Sequence, residues 1–152
     1  MAIASDNVDE EQLNHPQKWN ISQLRNFMII FGIHSSFFDF ITFYALFKLH
    51  EGHEQLFQTG WFLESVFTEL LILFVVRTHK MLWRSKPGKG LIILTLVAFT
   101  ITIGLPLSPF ASALGFVVPP EKLLFVITSI VLSYIITADI LNLVFFKRKP
   151  VD

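Results

Sequence analysis

The chain has 152 residues, a formal net charge of zero and no cysteine, and 53% of it is hydrophobic, with 17 phenylalanines. That apolar share exceeds what a single soluble core of this size buries, so a membrane protein is expected. The charge balance argues against a nucleic-acid partner, and the lack of cysteine removes disulfides, thiolate metal sites and cysteine nucleophiles.

The chain opens on an acidic, proline-punctuated segment, residues 1–23, where a secretory signal would need a basic start and a short apolar run. A cytoplasmic arm is expected instead. Its acidic residues Asp6, Asp9, Glu10 and Glu11 read as a solvated or partner-docking surface. Four apolar stretches then follow at about 24–49, 56–76, 90–107 and 123–146. Each is long enough to cross a hydrocarbon core of about 30 Å, which takes about 20 helical residues. Lipid offers no partners to open backbone groups, so these spans must be helical. The fold class expected is an all-α polytopic membrane protein of four transmembrane helices in two antiparallel hairpins, over residues 24–149, with 150–152 as a tail.

The first span carries a start signature, Asn20 as N-cap with Gln23 three residues later. It holds Gly32 and Ser36 at the spacing that lets helices approach closely, and Asp39 near its middle. The following HEGHE sequence, residues 50–54, has its histidines three apart where a zinc-binding helix motif needs four, and reads as a solvated loop. On the second span Glu64, Ser65, Thr68 and Glu69 form a broad polar face. A basic linker turning at Pro87-Gly88 leads to the third span, which is followed by an apolar, proline-rich interfacial loop. On the fourth span Ser133 and Thr137 repeat the small-residue spacing, with Asp139 and Asn142 on another face.

Each acid inside an apolar span costs about 3 kcal/mol to insert near the membrane centre, so Asp39, Glu64, Glu69 and Asp139 should face protein or water. Two readings stay open: a site for a cation or proton, or hydrogen-bonded contacts between helices. Ten of the twelve Lys and Arg flank the spans on one side, with only Lys48 and Lys122 on the other. The positive-inside rule then puts both termini in the cytoplasm. Trp61 and Trp83 fall near span ends, where amphipathic rings prefer the interface.

Four separated blocks, DNVDEEQLNHPQKW, FMIIFGIHSSFFDFITF, LFQTGWFLESVFTELLILFVVRTHK and GLPLSPFASALGF, occur in one order. Together they resemble the carboxy-terminal membrane region of magnesium-transporting P-type ATPases. The resemblance implies that the spans correspond to the family's seventh to tenth helices. It also implies that residues 6–19, with Asp6, Asn7, Asp9 and Trp19, form a cytoplasmic segment docking on the phosphorylation domain. In related calcium pumps the eighth helix lends an acidic ligand, which makes Glu64 and Glu69 candidates for ion contact. Magnesium members often have an amide near Glu69, and this chain departs from that pattern.

No DKTG phosphorylation motif occurs here, and no catalytic residue or bound cofactor is implied. The expected function is a support module of a magnesium-type pump, a truncated or split-gene piece without ATPase activity of its own. Its expected location is the plasma or inner membrane. Membrane lipid and the rest of such a pump are the expected partners, and magnesium is the ion the parent pump would carry. A separate regulatory or assembly subunit, or a small passive cation or proton conduit, are the alternatives.

Overall fold

A computed structural model describes residues 21–49, 53–77 and 87–147. Four helices carry the fold: α1 (Ile21–Leu49), α2 (Glu54–Val76), α3 (Lys89–Leu107) and α4 (Glu121–Lys147), with no strand among the described residues. All four are long and apolar enough to cross a membrane. They begin within three residues of the expected spans, because the run of about 20 apolar residues that a bilayer demands is itself the signal. Asn20, the side chain of Gln23, Trp83 and the docking residues Asp6, Asn7, Asp9 and Trp19 lie outside the described residues.

The helices are not stacked evenly. α2 packs most extensively on α4, α1 leans against both, and α3 rests on α2. One cluster joins Leu46 of α1, Leu63 of α2, and Leu123, Ile127 and Val131 of α4. A second joins Phe31, Val75 and Ala138 at the other end of the same three helices. Trp61, expected at the interface, packs partly buried against the first cluster. α3 is held by stacked rings, Phe67 of α2 against Phe99, with centroids 4.8 Å apart.

Gly60 makes the close meeting of α1, α2 and α4 possible. A Cβ there would stand 2.6 Å from Leu46 Cδ2 and 3.3 Å from Leu123 Cδ1. Any larger residue would need the leucines to move.

The α3–α4 connection is folded onto the start of α2 rather than left as a loose loop. A 3-10 turn, Ser112–Leu114, ends at Gly115, whose φ of 76° favours glycine. Phe116 N–H then donates to Ala111 O at 2.8 Å, closing the turn. Thr59 Oγ1 accepts from Val117 N–H at 3.0 Å and donates to Gln55 O at 2.8 Å, while Gln58 Nε2 donates to Leu114 O at 3.3 Å. The ring of Phe116 lies 4.8 Å from that of Phe62. Two side chains of α2 thus fix the connection through its backbone.

Candidate functional site

The polar residues inside the helices fall into three groups. Between α1 and α4, Ser35 Oγ and Tyr134 Oη lie 2.9 Å apart, and His34 Nε2 lies 2.9 Å from Thr137 Oγ1. The Thr137 hydroxyl has one proton and sits 2.8 Å from Ser133 O and 3.0 Å from Tyr134 O, within its own helix. Its oxygen is therefore free to accept from His34, which assigns the ring proton to Nε2. The rings of Phe38 and Tyr134 pack edge-on at 5.4 Å beside this pair.

Between α2 and α4, the fully buried Asn142 donates from Nδ2 to Val75 O at 3.1 Å. Val75 is in the last turn of α2, where backbone carbonyls have no partner within the helix among the described residues. The amide on α4 therefore caps α2. Asp139, one turn before Asn142, is also buried and engaged.

Between α1 and α2 the chemistry is different. Glu64 is 1% exposed, and neither carboxyl oxygen has a hydrogen-bond partner among the described residues. The Thr42 hydroxyl faces it from α1 but makes no well-formed hydrogen bond, and Asp39 adds a second carboxyl nearby. Thr68 Oγ1 turns back to the carbonyls of Glu64 and Ser65, each at 3.0 Å, and satisfies helix backbone rather than the acid. This seam holds acceptors in excess of donors.

The sequence puts Glu64 and Glu69 on one broad face, yet five residues rotate a helix by about 140° from the starting direction. Glu64 points into the seam and Glu69 is exposed, as are Gly32 and Ser36. A Cβ on Gly32 would meet nothing within 4 Å. Ser133 is also exposed, with its hydroxyl returned to Ser129 O at 2.8 Å. Among the described residues, no group of three or more His, Asp and Glu side chains could hold a metal ion. Asp39, Glu64 and Glu69 nevertheless all lie within electrostatic reach of Tyr134. Sequence reasoning did not single out Thr42, Thr59, Gly60 or Tyr134; small and hydroxyl residues inside apolar spans were the available signal.

Comparison with known proteins gives the chain its family. The family described as "Cation transporting ATPase, C-terminus" matches residues 1–144. A Salmonella typhimurium protein named magnesium-transporting ATPase, P-type 1 is 38% identical over 75% of this chain, and an Escherichia coli K12 protein of the same name is 39% identical over 75%. A further Salmonella typhimurium protein of that name is 28% identical over 97% of the chain. The chain spans only 13% of the length of the first two and 17% of the third. With its four apolar helices, this is a multi-pass membrane protein belonging to the family of cation-transporting ATPase C-termini.

Proposed function

We propose that this chain is the membrane support region of a magnesium-transporting P-type pump. In this role α1–α4 brace the helices that carry the ion, and the chain itself performs no phosphoryl transfer. The family match over residues 1–144, together with relatives named for magnesium transport, carries the reading. Its physical support is that the helices are joined by uncharged contacts, Ser35 to Tyr134, His34 to Thr137 and Asn142 to the Val75 carbonyl, which suit a rigid brace. A passive conduit would need its acids along one wetted path, whereas Glu64 is buried and Glu69 is exposed.

In this arrangement both termini and the 78–86 linker face the cytoplasm of the inner membrane, as the basic residues favour. Residues 6–19, with Asp6, Asn7, Asp9 and Trp19, dock on the phosphorylation domain, and magnesium is the ion carried by the assembled pump. The test is complementation. In a strain lacking its own magnesium uptake systems, a magnesium-transporting relative deprived of its matching C-terminal helices is expressed with or without this chain. Growth on low magnesium should return only with the chain, and no rescue despite membrane insertion of both parts would overturn the reading.

A further inference from the structure

Between Thr59 and Arg77 every residue of α2 is buried or part-buried except Glu69, which is exposed. This is a carboxyl about 11 Å from the C-terminal end of a membrane-spanning helix, at 1.5 Å per residue. No hydrogen-bond donor among the described residues reaches it. A lipid-facing surface would not carry a charge at that depth without a partner.

The surroundings of Glu69 say what kind of partner fits. Phe43 of α1 meets Trp61 of α2, with centroids 6.1 Å apart; Thr42 faces Glu64, and Phe31 packs with Val75. This antiparallel register brings Ser36 level with Glu69. Gly32, Ser36 and Phe43 lie on one stripe of α1, and Trp61, Ser65 and Glu69 on one stripe of α2, both running from the Phe43–Trp61 contact. The two stripes flank one groove, and its α1 wall is open, because nothing lies within 4 Å of a Cβ on Gly32. Beneath it the same α1–α2 seam buries Glu64, with both carboxyl oxygens lacking partners among the described residues. Small residues permit close approach of a helix, and unpaired carboxyls call for donors.

We propose that the α1–α2 groove seats a further transmembrane helix that presents a hydrogen-bond donor, a hydroxyl, amide or basic side chain, to Glu69. The occupant is a helix from the part of the pump outside these 152 residues, since the chain spans 13–17% of its relatives' length. The proposal rests on the support-region reading. It adds the face through which bracing occurs and the chemistry at its centre.

The test is co-purification from membranes of the tagged chain with the Escherichia coli relative lacking its matching helices, in buffers with magnesium and with EDTA. Glu69→Leu should lower recovery of the partner about tenfold, the scale of one strong intramembrane hydrogen bond, whereas Glu69→Gln, which still accepts, should keep most of it. Gly32→Leu should block the groove, and Phe125→Leu on the exposed face of α4 should change nothing. Because the chain has no cysteine, Ser36→Cys provides a unique crosslinking position and should join to a cysteine in a partner helix. If the wild type captures the partner but Glu69→Leu and Gly32→Leu capture it equally, the groove is not the seat, while the support-region reading stands. If the wild type captures nothing, that reading falls and the groove proposal with it. Capture abolished by EDTA would assign the carboxyl to a bound cation, and a Ser36→Cys self-dimer would assign the groove to a second copy; either result overturns the proposal.

Discussion

Replacing Asn142 by leucine removes the amide that caps α2 while nearly preserving side-chain volume. Asn142 is 0% exposed and donates to Val75 O at 3.1 Å, so no solvent waits to replace the bond. Interhelical hydrogen bonds in membranes are worth about 0.6 kcal/mol on average and about 1.7 at most, and a buried carbonyl left without a donor costs about 1–3 kcal/mol. Because the Val75 carbonyl has no partner within its helix among the described residues, the loss should lie near the upper part of the first range, with a share of the second. A loss of about 2 kcal/mol is expected, roughly a 30-fold fall in the ratio of folded to unfolded protein. Asn142→Asp, which keeps the shape but cannot donate when ionised, should lose at least as much. The assay is reversible unfolding in mixed micelles with increasing dodecyl sulfate, followed by tryptophan fluorescence. An Asn142→Leu protein within about 0.3 kcal/mol of wild type would refute the capping argument, since that is below the average value of one such bond.

Three other outcomes follow from the packing. Thr59→Val deletes the hydroxyl that accepts from Val117 N–H and donates to Gln55 O, so the Val117 amide should exchange with solvent at least about tenfold faster while the cores of α2 and α4 stay protected. Gly60→Leu should destabilise by about 1–3 kcal/mol or more by driving Leu46 and Leu123 apart, and Gly60→Ala should cost less because its nearest neighbour is a terminal methyl of Leu46. With a membrane-impermeant maleimide on whole cells, a cysteine replacing exposed Ser112 should label from outside, whereas one replacing Pro87 should label only after permeabilisation. The reverse pattern would invert the topology.

The four spans were legible because hydrophobic length is a direct demand of the bilayer, met here by runs interrupted only by a few polar residues. The pairing of polar residues was less so. Glu64 and Glu69 both sit on α2 among hydroxyls, and sequence spacing gives their angular separation but not which side α1 takes; tertiary packing buries the first and exposes the second. Gly32 and Ser36 have the spacing of a close helix contact, yet the close approach within this chain occurs at Gly60, whose importance depends on Leu46 and Leu123 arriving from distant positions. Asn142 could be recognised as an intramembrane polar residue, but its partner is a backbone carbonyl exposed by the end of α2. The docking of residues 108–120 onto α2 was hidden for the same reason, since Thr59 and Gln58 act on backbone atoms of the connection.

The most direct test of the support role is ATP hydrolysis by purified parts. The chain alone should be inactive, as should the relative's catalytic portion without its C-terminal helices, and the two reconstituted together in lipid should hydrolyse ATP in a magnesium-transport-competent form. Hydrolysis by this chain alone, or a stable complex of the two that remains inactive, would contradict the account.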